Sequence, residues 1–344
     1  MTHDSTSPRS LPAMLLDDYL SLADDSCVAV LPHVLRITAE LGIADLLGDD
    51  VRTAADLSKE AGTDPDALHR LLRALATVGV VAREPGQRFR LTVTGARLRA
   101  DAPGSVRASL LNTDSQRAWL RGADTLRTGL SVFDSALGGA FFDHKNDDAE
   151  ANTAFLRRME ERAGRLYPNL AAVPDWSDSS VVMDIGGGNG YVLDRVLRAA
   201  PHLTGILFER PATVAAVGGS PRLRALGERC RVAEGDFFDR IPADADTHLM
   251  CSVLHDWTDE QTVRILRNSR AALRPGGRLL IVEMLVPKDD RWHPGAWSDI
   301  GMMVLTGGRE RTAEEFTALL RQAGFSEASA TAVPDSPFSV LEAK

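Results

Sequence analysis

The stretch VVMDIGGGNG, from Val181 to Gly190, decides the fold that we predict for this chain. Its first five residues form an apolar run that is typical of a buried parallel strand, with Asp184 near the carboxyl end. The glycines that follow allow a sharp turn and a close approach of the backbone to a ligand. From Tyr191 onward the apolar residues recur at helical spacing. The stretch therefore predicts a strand, a ligand-binding loop and a helix within an α/β sheet.

The residues around this loop distinguish between classes of nucleotide. A dinucleotide fingerprint would place Gly or Ala at position 191, where this chain has Tyr191, and the GK[ST] of a P-loop is absent. Asp184 and Glu209, which ends the next predicted strand, instead favour a ligand with a cationic amine and a ribose but no phosphate. S-adenosylmethionine fits that description. The alternative is a glycine turn that binds nothing, but four glycines in five residues carry an entropic cost that packing does not offset.

Length and composition indicate a globular protein of about two domains, with 344 residues of which 44% are hydrophobic. No apolar run reaches about eighteen residues and no leader is recognisable, so we expect a cytoplasmic protein without a membrane partner. The cysteines are Cys27, Cys230 and Cys251, without a C-x-x-C pair, so neither a disulfide framework nor a zinc site is indicated. The formal charge of −9 argues against nucleic acid as the main partner.

The amino-terminal part predicts an α-rich winged-helix domain over residues 1–104. Apolar positions fall at helical spacing from Leu15 to Leu47, and two further helices follow, with Thr53 and Thr63 as expected N-caps. Two short apolar runs then flank the turn residues EPGQ, which predicts a hairpin. Residues 43–99 therefore resemble a winged helix-turn-helix.

A winged helix raises a second class of function, a DNA-binding regulator that senses a small molecule. The predicted wing is rich in arginine, which a phosphate backbone would attract. The preceding helix begins with Asp64 and Asp66, which would repel phosphate, and its remaining face is dominated by leucine. This class stays open as the alternative to an enzyme.

The middle segment, residues 105–174, is mostly helical by pattern and connects the two domains. Its aromatic and sulfur-containing side chains cluster in sequence, and ligand pockets are common where domains meet. Plain core packing is the alternative for each of them. The cluster comprises Phe133, Phe141, Phe142, Phe155 and Met159, of which we expect Phe142, Phe155 and Met159 to contact the substrate.

Residues 175–344 alternate between strand and helix, which predicts a doubly wound parallel sheet. The segment LHDWTDEQ contains a capping box, Thr258 with Gln261, so that His255 and Asp256 lie between a strand and a helix. A lone histidine there is more often a packed residue. Its position at the same sheet edge as Asp184, however, makes it a catalytic candidate.

Four motifs occur in an order and spacing that identify a family: DIGGGNG, GDFFDRIP, LHDWTDE and GGRERT. The chain resembles the S-adenosylmethionine-dependent O-methyltransferases of the plant caffeate and bacterial secondary-metabolite type over nearly its whole length. This resemblance implies a Rossmann-like class I methyltransferase domain and a winged-helix domain through which two copies form a homodimer. It also implies a role in the biosynthesis of secondary metabolites such as antibiotics, without a nucleic-acid partner.

The resemblance also implies roles for individual residues. Gly186 and Gly188 would hold the methionine part of the cofactor, Glu209 its ribose, and Asp236 and Phe237 its adenine. Cys251 stands where many plant members carry a cofactor-binding lysine. The remaining implied residues are the general base His255 and the two acids that bracket it, Glu283 and Glu310.

The chemistry of methyl transfer indicates the kind of acceptor. A neutral imidazole with a pKa near neutrality could remove the proton of a phenol without a metal ion, so we expect S-adenosylhomocysteine as the product and no metal cofactor. Met302 and Met303 would contact an aromatic ring, and Asp256 and Asp299 would accept hydrogen bonds from it. Some bacterial relatives that lack the histidine have changed to hydroxylation, which is a further alternative.

Overall fold

The structure, a computed structural model, describes residues 27–344. Its contacts divide the chain into two compact units, with the division between Asn112 and Thr113. The expected boundary at residue 104 therefore lies eight residues too early, and most of the expected connecting segment belongs to the second unit. Residues 15–26 of the expected first helical stretch lie outside the described residues.

The first unit consists of helices and a small antiparallel sheet in the order β1-β3-β2. The hairpin of β2 and β3 occurs where the EPGQ turn predicts it. Thr53 caps its helix by accepting the Asp56 N–H at 3.1 Å, but the next helix is capped by Asp64 rather than Thr63, because Pro65 is its first residue. The elements are α1 (Cys27–Glu40), α2 (Ile43–Leu47), β1 (Arg52–Thr53), α3 (Ala54–Ala61), α4 (Pro65–Thr77), β2 (Val81–Glu84), β3 (Arg88–Leu91), α5 (Val93–Ala96) and α6 (Arg107–Leu110).

The second unit contains eleven helices among the described residues, with three 3₁₀ turns at Leu170–Ala172, Gly227–Arg229 and Leu254–Asp256. The helices are α7 (Thr113–Trp119), α8 (Gly122–Thr128), α9 (Phe133–Leu137), α10 (Phe141–Asn146), α11 (Ala149–Leu166), α12 (Tyr191–Ala199), α13 (Pro211–Val217), α14 (Pro221–Leu226), α15 (Asp259–Ala272), α16 (Pro294–Leu305) and α17 (Ala313–Gln322). The predicted capping box of Thr258 and Gln261 is present at the start of α15.

The sheet of the second unit has seven strands in the order β6-β5-β4-β7-β8-β10-β9. The first five are parallel, as the sequence predicts, whereas β10 runs antiparallel to both of its neighbours. The sequence analysis did not predict β9 and β10. The strands are β4 (Val181–Ile185), β5 (Thr204–Glu209), β6 (Cys230–Glu234), β7 (Thr247–Cys251), β8 (Arg278–Met284), β9 (Ala328–Ala332) and β10 (Phe338–Ala343).

This strand order positions a ligand site. From β4 the chain adds β5 and β6 on one side and then crosses to add β7 and β8 on the other. A crevice at such a switch point, beyond the carboxyl ends of the strands, is where open α/β sheets bind ligands. Apolar clusters cover both faces of the sheet, so its central strands are buried. Within residues 27–344, no helix combines the length and the apolar character needed to cross a membrane.

Candidate active site

A cavity of about 480 Å³ opens at the carboxyl ends of β4, β5 and β7. This volume lies in the range of roughly 300–1,000 Å³ that is typical of small-molecule sites. Most of the residues singled out from the sequence line it. They are Phe142, Phe155, Met159, Asp184, Gly186, Gly188, Glu209, Asp236, Phe237, Cys251, His255, Asp256 and Met302.

The glycine loop after β4 forms one wall of the cavity. Gly186 and Gly188 have φ angles of 71° and 59°, a left-handed conformation that glycine adopts without strain. A Cβ added to Gly187 would overlap the carboxylate of Asp184. The loop therefore needs glycine both for its conformation and for its close contact with the strand end below.

Two carboxylates lie beside this loop with no cation bonded to them among the described residues. Neither oxygen of Asp184 makes a hydrogen bond, and the side chain is fully buried beneath the loop. Glu209 accepts the backbone N–H groups of Gly188 and Arg210, both at 2.9 Å. Burial and the charge of Glu209 raise the pKa of Asp184 to about 7, and burial also raises the pKa of Glu209. The negative charge of these two carboxylates, to which no cationic side chain of the described residues is bonded, fits a cationic ligand such as S-adenosylmethionine.

The burial of Asp184 changes one expectation. The sequence analysis expected Asp184 to help bind the cofactor. The residue borders the cavity, but its side chain is fully buried beneath the glycine loop, so its carboxylate would act through its charge and by supporting the loop. Farther along the cavity, the Asp236 carboxylate accepts the Phe238 N–H at 2.8 Å. This hydrogen bond spans Phe237, which also lines the cavity.

His255 lies in the 3₁₀ turn after β7, between two glutamates. Its Nδ1 is 2.7 Å from Oε2 of Glu283 and 3.8 Å from Oε1 of Glu310. Oε1 of Glu283 also accepts the backbone N–H groups of Val253 and Leu254, at 3.0 and 2.9 Å. Nδ1 thus donates to Glu283, which leaves Nε2 toward the cavity that His255 lines.

The protonation of this cluster differs from the expected neutral imidazole. Burial alone would lower the pKa of His255, but the charges of Glu283, Glu310 and Asp256 outweigh it and raise the pKa to about 10. The imidazolium in turn lowers the pKa of Glu283, whereas burial raises the pKa of Asp256 to about 6. At neutral pH, His255 is therefore held as an imidazolium.

The segment Gly308–Arg311 holds the turn of His255 from the opposite side. The fully buried guanidinium of Arg311 donates to the carbonyl oxygens of Leu254 at 3.0 Å and Trp257 at 2.7 Å. A Cβ on Gly308 would overlap the carbonyl of His255. Asp299 accepts the Glu310 N–H at 2.8 Å and does not line the cavity, so it supports this segment instead of the expected acceptor.

Two helices, α16 and α11, supply further lining residues of the cavity. From α16 come Ser298, Met302 and Leu305, at a spacing of three to four residues, and Thr306 follows directly after the helix. Met303 is not among the lining residues, because consecutive helical residues point about 100° apart and the side chain of Met303 points away from the cavity. From α11 come Phe155, Arg158, Met159 and Arg162. The sequence analysis missed both arginines, although their helical spacing from Phe155 and Met159 was a usable signal.

His255, Glu283 and Glu310 also form a group whose ligand atoms lie within 4.8 Å of one another, as a metal site would require. The sequence analysis expected these three residues to lie together, but it did not consider them as metal ligands. The donor set is a poor fit for a metal ion, because Glu283 already accepts four N–H groups, of which one is Nδ1–H of His255.

Known proteins resemble this chain in both units. The sequence-family model of the O-methyltransferase domain matches residues 119–326. The family model of the O-methyltransferase dimerisation domain matches residues 26–100. The chain is 37% identical over 319 residues to O-demethylpuromycin-O-methyltransferase of Streptomyces alboniger, covering 90% of this chain and 85% of that protein. It is 35% identical over 333 residues to aclacinomycin 10-hydroxylase RdmB of Streptomyces purpurascens, covering 91% of this chain and 87% of that protein.

A solved structure shares the fold. The crystal structure of the O-methyltransferase NcsB1 from neocarzinostatin biosynthesis, in complex with S-adenosylmethionine and 2-hydroxy-5-methyl naphthoic acid, has a TM-score of 0.80. It is 30% identical in sequence and covers 94% of this chain and 97% of that chain. The second unit thus has the Rossmann-like class I methyltransferase fold, and S-adenosylmethionine is the cofactor. The chain belongs to the S-adenosylmethionine-dependent O-methyltransferase family.

Proposed function

We propose that the protein methylates a phenolic hydroxyl of a small aromatic secondary metabolite, with His255 as the general base. The observation that carries this proposal is the contact of 2.7 Å between Nδ1 of His255 and Glu283, which fixes the ring with Nε2 toward the cavity. The aromatic ligand of the related NcsB1 structure supports an aromatic acceptor.

The residues of the chain would position the acceptor and move its proton. S-adenosylmethionine supplies an electrophilic methyl group, and the cavity aligns an oxygen with it. A phenol has a pKa of ~10, and the carboxylates around His255 raise the pKa of its imidazole above the usual value. Once the imidazolium has lost its proton, Nε2 is therefore a strong base for the phenol proton, and proton transfer does not require a metal ion.

Hydroxylation is a second candidate, because one relative is named as a 10-hydroxylase. The presence of His255, with Glu283 hydrogen-bonded to it, favours methylation. Mass spectrometry of a panel of phenols incubated with labelled cofactor separates the two, since the product gains either a labelled methyl group or an oxygen atom.

A DNA-binding role is less well supported. Two arginines of the winged-helix unit pair with acids of the same unit, Arg90 with Glu84 at 2.7 Å and Arg99 with Asp49 at 3.3 Å. Such pairing reduces the positive charge that a phosphate backbone would contact.

The first prediction concerns the charge below the glycine loop. A cationic ligand favours the ionised form of Asp184, whose pKa is about 7 in the free protein. Binding of S-adenosylmethionine should therefore release a proton and tighten as the pH rises from about 6 to 8. Asp184→Asn should remove this pH dependence and weaken binding about tenfold or more. Calorimetry in two buffers of different ionisation enthalpy measures the affinity and the number of protons released. Asp239→Asn, which changes an exposed carboxylate, is the control and should alter neither. A pH-independent wild type would contradict the assignment.

The second prediction concerns the base. His255→Gln should lower kcat by about 10²–10⁴-fold while S-adenosylhomocysteine still binds normally. Because the imidazole must lose a proton to act, kcat/KM of the wild type should rise about tenfold per pH unit from about pH 6 toward the pKa of about 10. Glu310→Gln removes one negative charge and should move this rise to lower pH.

These measurements separate two roles for Glu310. If it only supports the fold, Glu310→Gln will lower the rate at every pH without moving the profile. A wild-type profile that is flat above pH 7, or more than about a tenth of the activity in His255→Gln, would show that His255 is not the base.

The third prediction concerns metal ions. Since Glu283 is already occupied by N–H donors, we expect turnover to be unchanged after exhaustive treatment with a chelator. Activity that is lost on chelation and restored by one divalent cation would instead assign a metal to the three-residue group.

The fourth prediction concerns assembly, since we propose that the dimerisation domain forms a homodimer through α1. Val30 and Ile37 lie on one face of this helix and expose 47% and 37% of their surface. Val30→Glu with Ile37→Glu should shift the protein toward the monomer in light scattering. Val93→Glu, at a position already 92% exposed, is the matched control. A dimer unaffected by the double change would place the interface elsewhere.

A further inference from the structure

Helix α11 turns two arginines toward the cavity. Phe155, Arg158, Met159 and Arg162 recur at a spacing of three to four residues, and all of them line the cavity. The opposite face of α11 is exposed and carries Arg157. Arginine rarely faces a cavity unless its charge is compensated.

The two arginines differ in their partners. Arg162 donates to the Ser252 hydroxyl at 3.1 Å and lies over the ring of Phe338. The guanidinium of Arg158 lies 5.2 Å from the ring centroid of Phe155 and has no hydrogen bond or ion pair to any residue in the described part of the chain. Burial, together with repulsion from Arg162, lowers the pKa of Arg158 to about 10. The charges of Asp114 and Asp256 act in the opposite direction, but neither carboxylate is bonded to the guanidinium.

Three other charged residues that line the cavity have ion-pair partners, in contrast to Arg158. Lys145 is paired with Asp114, and Arg210 with Asp143 at 2.8 Å. Glu160, on the same helix, is paired with Arg222. Within residues 27–344, the guanidinium of Arg158 thus has no hydrogen-bond acceptor, and a carboxylate matches this planar fork.

The aromatic side chains around Arg158 connect it to the catalytic turn. Phe155 contacts Phe142, with 6.2 Å between ring centroids, and Phe142 stacks on Trp257 at 5.4 Å. Trp257 is two residues after His255. An aromatic acceptor held by these rings would have Nε2 of His255 on one side and the guanidinium on another.

We propose that the acceptor is an aromatic acid, whose carboxylate is bound by the guanidinium of Arg158 while its hydroxyl group lies at His255. This inference rests on the proposed function, because it assigns the substrate class of that same site. Arg158 would act as a specificity-determining residue, with no part in the transfer of the proton.

The test uses a set of hydroxynaphthoic acids with different ring positions, each paired with its neutral carboxamide. Binding to the complex of enzyme and S-adenosylhomocysteine is measured by calorimetry, and kcat/KM by methyl transfer. The wild type should prefer at least one acid over its amide by about tenfold to hundredfold. Arg158→Met should reduce this preference to within about twofold, Arg158→Lys should retain part of it, and Arg157→Met should leave it unchanged.

Several outcomes would overturn the inference. One is that no acid is preferred over its amide, and another is that the preference survives in Arg158→Met. A third is that Arg158→Met weakens S-adenosylhomocysteine binding to the same extent, which would assign the guanidinium to the cofactor. Thermal unfolding shows whether Arg158→Met has a folding defect. If it has one, the preference for acids over amides is measured in Arg158→Lys instead, by the same calorimetry and kinetics.

The design also separates this inference from the proposed function. If Arg158→Met still methylates neutral naphthols at the wild-type rate, the proposed function stands whatever the acid preference shows. If the wild type methylates nothing in the panel, the binding of acids and amides still decides on Arg158.

Discussion

The carboxylate of Glu283 is the group on which the catalytic end of the sheet depends. It projects from β8, accepts the backbone N–H groups of Val253 and Leu254, and binds Nδ1 of His255. The turn that it holds follows Ser252, a residue other than glycine with a φ of 55°. A buried acid is costly unless it is fully hydrogen-bonded, and Glu283 meets this condition with donors of the very turn that carries the base. The burial of the glutamate, the orientation of the His255 ring and the negative charge beside that ring thus all depend on the hydrogen bonds of one carboxylate.

The same acids explain why the character of the base could not be obtained from the sequence. The order of strands and motifs was sufficient to bring His255, Glu283 and Glu310 to one edge of the sheet. The pKa of His255 depends on how closely three carboxylates approach it, and these distances follow from packing. Sequence reasoning therefore identified the residues but expected a neutral imidazole.

Other differences have equally local causes. The strand β9 consists of small, exposed residues, ASATA. It therefore lacks the alternation of apolar and polar residues by which a strand is recognised. β10 pairs with this strand. Met302 and Met303 are neighbours in sequence, and only the register of α16 decides which one faces the cavity. Asp299 has the chemistry to bind an acceptor, but a backbone N–H from a segment eleven residues away occupies it. The parallel core and the glycine loop were predictable because strand periodicity and glycine chemistry are encoded locally.

The stripe of α11 and the stripe of α16 line the cavity, whereas Glu283, Arg311 and Gly308 hold the turn that contains His255. These two sets of residues lie on different elements and share no side chain. Arg162 is a point of contact between the two sets, because it donates to Ser252 beside the turn. Substitutions at stripe positions that do not contact the turn can reshape the cavity without moving His255, so that selection can act on specificity and on chemistry separately. Such a division favours the diversification of acceptors on an unchanged catalytic centre.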